Sequence, residues 1–200
     1  MQDGPGSTIL FVPGLRDHVE DHWQTHAARA IPGALTVEPL DTDRLSRAAR
    51  VAALDAALAA IPGEVTIVAH SVGCLTTVHW AFAPTRRIRA ALLVTPADIE
   101  NPLPAGYPML AELDAGGWLP VPRAPLPFPA LVVASRNDPL ASFARIGRFA
   151  AGWGAALHDA GDVGHLNPAA GYGPWPEVVE LLRTLDEHVR SSISPDAAPR

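Results

Sequence analysis

The sequence predicts one α/β domain built on a six-stranded, mostly parallel sheet with helices on both faces. Three observations lead there. Short β-type runs recur at 8–13, 34–37, 65–69, 90–95, 130–134 and 155–158. Most of them are almost continuously apolar, as in strands covered on both faces. Between them lie stretches of helical period, and such alternation gives a parallel sheet with right-handed crossovers. The length of 200 residues, with 48% hydrophobic and 18% charged residues, suits a single domain with a real core.

Taken in order, "TILFVP" at 8–13 opens the sheet and 20–31 reads as the first helix. Residues 43–60, "DRLSRAARVAALDAALAA", place Leu45, Ala48, Ala49, Ala52, Ala53 and Ala56 on one stripe. Asp43 is the expected cap of that helix and "IPG" at 61–63 its stop. The run 65–69 passes at once into a helix over 72–83, and further helices are expected at 140–151 and 175–190. One connection differs. Residues 96–129 are rich in proline, with a short helix near 107–114. A connection of that length either walls a site or lies as an irregular surface loop. The domain is expected to span 1–190, with "SSISPDAAPR" at 191–200 as a disordered tail.

Composition removes several functions. A net charge of −6 and a pI near 5.7 leave no electrostatic footprint for nucleic acid. The single cysteine, Cys74, excludes an intrachain disulfide and a multi-cysteine zinc site. All 15 basic residues are arginine, so no lysine Schiff base, pyridoxal-phosphate anchor or Walker lysine exists. The N-terminal stretch lacks a positively charged region, and no apolar run is long enough to span a membrane. A cytoplasmic protein with no membrane or nucleic-acid partner is therefore expected, and the sequence names no protein partner.

The segment that carries chemistry is "VTIVAHSVGCL" at 65–75. A buried strand followed directly by a helix forces a sharp turn, and a serine on that turn stands above the carboxyl end of the sheet. Residues two before and two after it come close together and must be small. Ala69 and Gly73 flank Ser71 in this way. The other reading makes Ser71 an ordinary helix N-cap.

A nucleophilic serine needs a base, and the base needs an orienting acid. Functional groups of open α/β sheets gather beyond the carboxyl ends of strands. Asp138 in "SRNDP" and His165 in "DAGDVGHLNP" lie there, and the order Ser71, Asp138, His165 fits a hydrolase triad. Asp138 could instead cap the following helix, His165 could be a plain loop histidine, and Asp98 is the rival acid. An oxyanion would take the Val72 N–H and a second N–H from "VPGLRDH", that of Leu15 or else of Arg16.

On these residues the chain resembles the α/β-hydrolase superfamily, and within it the small serine hydrolases of the retinoblastoma-binding-protein-9 and YdeN type. The matching pieces are "FVPGLRDHVEDHWQ", "IVAHSVGC", "LPFPALVVASRNDP", "WGAALHDAGDVGHLN" and "GYGPWPE", over about residues 8–185. The resemblance implies a minimal α/β-hydrolase fold without the first two strands of the full fold and without a large cap domain. It implies a Ser71–Asp138–His165 triad. Pro13 and Ala69 depart from the histidine and glycine of many hydrolases, and neither change removes a reacting group.

The expected activity is hydrolysis of small, apolar carboxylic esters through an acyl-enzyme, without cofactor or metal. Amidase- or peptidase-like cleavage by the same triad, and a binding protein with vestigial chemistry, are the alternatives. Arg16, His70 and Trp118 are candidate substrate contacts, with Trp118 as an apolar wall. Trp23, Trp80, Trp153 and Trp175 are expected in the core. His18, His22 and His26 recur every four residues and would share one face of a helix. The ordinary reading of that pattern is a polar face or a helix N-terminus near the site, and metal ligation there would need a ligand from elsewhere.

Overall fold

The computed structural model describes residues 7–17 and 19–193. Its strands are β1 (Thr8–Val12), β2 (Leu35–Thr36), β3 (Val65–His70), β4 (Ala90–Val94), β5 (Ala130–Ala134) and β6 (Ala156–Asp159). They form a six-stranded sheet in the order β2-β1-β3-β4-β5-β6. Every pairing is parallel, where the sequence indicated only a mostly parallel sheet. β3 and β4 are buried at every residue, which explains their unbroken apolar runs.

Helices α1 (Trp23–Ala30), α2 (Arg47–Ala60), α3 (Val72–Ala81), α4 (Leu110–Ala115), α5 (Phe143–Trp153) and α6 (Glu177–Ile193) complete the fold. Period-2 alternation along the strands sends Leu10, Ile67, Leu93 and Val132 to the face covered by α2, α3 and α5. Ile9, Val68, Leu92 and Val133 go to the face covered by α1 and α6. Trp80, Trp118 and Trp153 fill the first layer, and Trp23 and Trp175 fill the second.

Three local readings change. α2 starts at Arg47 because Ser46 caps it, accepting from the Ala49 N–H at 3.2 Å, so Asp43 lies outside the helix. Its buried stripe is Arg50, Leu54 and Leu58, while Ala48, Ala52 and Ala56 face solvent. Alanine favours a helix wherever it faces, so it is a poor marker of phase. The bulkier leucines set the inner face. α1 starts only at Trp23, so His22 is its N-cap and does not share a helix face with His26; His18 lies outside the described residues.

α6 runs on to Ile193, past the expected domain end at 190, and the rest of the tail lies outside the described residues. Among the described residues, no helix is long and apolar enough to cross a membrane.

Candidate active site

Ser71 sits between β3 and α3 with φ 57° and ψ −125°, a left-handed conformation that costs a non-glycine residue of order 1–3 kcal/mol. The surroundings hold it there. A Cβ added to Gly73 would lie 2.3 Å from the Val12 carbonyl oxygen, so only glycine fits two residues past the serine. Ala69 lies inside β3, fully buried beside Val12 and Leu93, where its methyl has been packed into the core. Ser71 occupies the N-cap position of α3, yet its side chain makes no capping hydrogen bond. Its hydroxyl faces His165 instead, with Oγ 2.9 Å from Nε2.

The tautomer of His165 follows from its other nitrogen. Nδ1 lies 2.8 Å from Asp138 Oδ2, and a carboxylate only accepts, so Nδ1 carries the proton and donates. In the neutral imidazole Nε2 is then the acceptor, and the Ser71 hydroxyl donates to it. The side chains of His165 and Asp138 are 5% and 2% exposed, so this line of bonds is shielded from water. Asp138 Oδ1 also accepts from the Leu140 N–H at 2.8 Å. That bond closes a turn ahead of the helix: α5 begins only at Phe143 and is capped by Ser142, which accepts from the Arg145 N–H at 3.3 Å, so Asp138 orients His165 and does not cap the helix. Asp98 is engaged elsewhere, by Arg145 Nε at 3.1 Å and Asn101 Nδ2 at 2.6 Å.

The loops bearing acid and base are stitched to each other. Asn137 Oδ1 accepts from the Gly164 N–H at 2.6 Å, and Ser135 Oγ from the Val163 N–H at 3.3 Å. The His165 carbonyl accepts from His70 Nε2 at 2.9 Å. His70 must therefore carry its proton on Nε2, because a carbonyl cannot donate. Burial holds the His70 pKa well below the usual imidazole value, with His165 nearby adding to the effect. His22 packs against it with ring centroids 4.6 Å apart, and its pKa is lowered to about 4, by burial first and His165 second.

Ser71 and His165 open onto a cavity of about 200 Å³. Its apolar lining includes Leu15, Val72, Leu103, Tyr107, Pro108 and Leu140. Leu103, Tyr107 and Pro108 come from the proline-rich connection, so that segment supplies one wall. Sequence reasoning named none of these three, because irregular chain carries no periodicity from which to read a facing side. Arg16 and His70 also line the cavity, and the Arg16 guanidinium stands 5.9 Å from the Tyr107 ring centroid.

Trp118 corrects the expectation of an apolar substrate wall. It is fully buried in the core, with Nε1 donating to the Leu45 carbonyl at 2.7 Å and its ring edge-on to His79. A large ring with one N–H donor finds its lowest energy where both are satisfied, and here that place is between the Leu45 carbonyl ahead of α2 and His79 of α3.

Val72 is the first residue of α3, where helix geometry leaves N–H groups without an internal partner. Leu15 is inside a turn closed by the Asp17 N–H on the Gly14 carbonyl at 3.1 Å. Both reach the cavity, and a Cβ on Gly14 would come 3.1 Å from Ser71 Cβ. Cys74 is buried, with Sγ donating to the Val94 carbonyl at 3.4 Å, and burial raises its pKa well above the ordinary thiol range. His26 bonds Asp21 at 2.9 Å, and among the described residues no group of histidine, cysteine or acidic side chains is arranged to hold a metal.

The family model described as "Serine hydrolase" matches residues 9–184. A YdeN-like hydrolase from Pectobacterium atrosepticum is similar in structure at a TM-score of 0.75, with 32% identity over 91% of each chain. The ydeN gene product of B. subtilis aligns at 0.67, with 18% identity over 90% of this chain and 99% of that one. Mouse alpha/beta hydrolase domain-containing protein 10 aligns at 0.67, with 14% identity over 95% of this chain and 92% of that one. At those last two identities the likeness speaks for the fold alone. A search of curated protein sequences returned no match. The family match over most of the chain, together with the 32% identical structure, shows that the chain belongs to the serine hydrolase family, as a small α/β-hydrolase of the YdeN type.

Proposed function

We propose that the protein hydrolyses small, apolar carboxylic esters through an acyl-enzyme on Ser71. One observation carries the reading: the unbroken line Asp138–His165–Ser71, at 2.8 and 2.9 Å, ends at an apolar cavity of about 200 Å³. That volume is below the roughly 300–1,000 Å³ of sites for drug-sized ligands, which favours a short acyl group.

Ser71 Oγ attacks the ester carbonyl while His165 Nε2 takes its proton. The carbonyl electrons move onto oxygen, and the N–H groups of Val72 and Leu15 bind the oxyanion that results. Collapse expels the alkoxide, which receives the proton from His165. Water, deprotonated by the same nitrogen, then attacks the acyl-enzyme and releases the acid and free Ser71. Asp138 keeps Nδ1 protonated and stabilises the imidazolium at each stage. Arg16 and His70, at the cavity, are the proposed substrate-facing polar groups.

The test is a series of p-nitrophenyl esters from acetyl to decanoyl, run beside matched anilides in stopped flow. The expected result is a nitrophenol burst of about one equivalent, with kcat/KM highest for short chains and anilides far slower. Anilides turned over as fast as esters would move the reading to amide cleavage. Absence of both burst and turnover would favour a binding protein on a hydrolase scaffold.

A further inference from the structure

Arg50 is a charged residue on the inner stripe of α2, where Leu54 and Leu58 are fully buried. A residue needed only for packing would be apolar there, because burying a guanidinium carries a large desolvation cost. Its contacts show what it holds. Nη1 donates to the Gly14 carbonyl at 3.2 Å, Nη2 to the Leu15 carbonyl at 3.2 Å, and Nε to the Arg44 carbonyl at 2.7 Å. Asp17 Oδ1 balances the charge at 3.1 Å, and both side chains are 6% exposed.

We propose that Arg50 is the positioning residue of the oxyanion hole: by gripping the carbonyls of Gly14 and Leu15, it turns the N–H groups of Leu15 and Arg16 toward Ser71. This rests on the hydrolase reading above. The geometry follows from the peptide bond. In a planar trans peptide the C=O and the next N–H point in opposite directions. The Gly14 carbonyl shares its plane with the Leu15 N–H, and the Leu15 carbonyl shares its plane with the Arg16 N–H. Arg50 lies outside the cavity lining, whereas Leu15 and Arg16 are in it. Drawing both carbonyls to the Arg50 side therefore leaves both N–H groups for the cavity side.

A further effect acts in the same direction: a cation at a carbonyl oxygen polarises the amide and strengthens its N–H as a donor. Arginine's planar fork reaches two carbonyls at once, which a lysine ammonium does with poorer geometry. Asp17, held at φ 52°, completes the clamp from the other end of the same turn.

The test compares p-nitrophenyl acetate with its thionoester analogue, in wild type, Arg50→Lys and Arg50→Met. A thiocarbonyl sulfur is a weak hydrogen-bond acceptor, so its reaction draws little on an oxyanion hole. The expected result for Arg50→Lys is a kcat loss of about 10²-fold on the oxygen ester, the size of losing one oxyanion donor. KM and the thionoester rate should hold, so the ratio of the two rates collapses. An equal loss on both esters, or no loss, would overturn the proposal. Melting curves accompany each variant. Should Arg50→Met fail to fold, Arg50→Lys decides alone, because it keeps a charge beside Asp17. A wild type with neither burst nor turnover would instead refute the hydrolase reading itself.

Discussion

The two sides of Ser71 are held by different means. On one side, side chains hold side chains: Asp138 holds His165, His165 meets Ser71, and His70 anchors the His165 carbonyl. On the other, the proposed oxyanion donors are backbone N–H groups, and Arg50 binds the carbonyls of their turn. The difference teaches where fragility lies. A side-chain line breaks at one substitution. A backbone cradle cannot be deleted, only loosened through whatever holds it.

The largest expected effect breaks the side-chain line. Asp138→Asn should lower kcat by about 10⁴-fold with the fold intact, because asparagine's N–H favours the wrong His165 tautomer. Asp98→Asn is the control. It disturbs the pairing with Arg145, so it should lower the melting temperature and leave kcat nearly unchanged. Steady-state kinetics beside melting curves check the pair, and a larger kcat loss at Asp98 would reassign the acid.

A smaller effect lies one bond further out. His70→Phe keeps an aromatic ring but removes the donor to the His165 carbonyl. One such hydrogen bond is worth about 1 kcal/mol, so a several-fold fall in kcat is expected, and a rise in KM would report the substrate contact proposed for His70. A loss as great as that of Asp138→Asn would place His70 in the chemistry rather than behind it.

The smallest is a slope of stability against pH. In the folded protein His22 and His79 are held at about 4, each chiefly by burial, and His70 well below the ordinary value. In the unfolded chain they take up protons near 6.5. Between those values the unfolded state binds more protons, so stability is full above pH 6.5 and is lost as pH falls toward 4. Urea titrations across that window should show the decline, and His22→Gln should flatten it. An unchanged slope in the variant would remove His22 from the explanation.

The same contrast explains what was legible in the sequence. The strand runs, the alternation with helices and the meeting of Ser71, Asp138 and His165 were readable, because buried parallel strands need unbroken apolar runs and the three polar residues follow strand ends in an order that constrains them together. The phase of α2 was not. Its alanines look apolar but need no burial, and its inner stripe begins with an arginine that any pattern reads as outward. The cavity wall from 96–129 was readable as a long irregular connection but not by side chain. Trp118 was misplaced for the same reason, since its partner Leu45 lies 73 residues earlier in the chain.

The central claim is that Ser71 is the residue acylated. Intact-protein mass spectrometry after a fluorophosphonate probe tests it most directly, with Ser71→Ala beside wild type. One covalent adduct on wild type, mapped to the peptide containing Ser71 and absent from Ser71→Ala, is the predicted result. An unlabelled wild type, or an adduct that persists in Ser71→Ala, would contradict it.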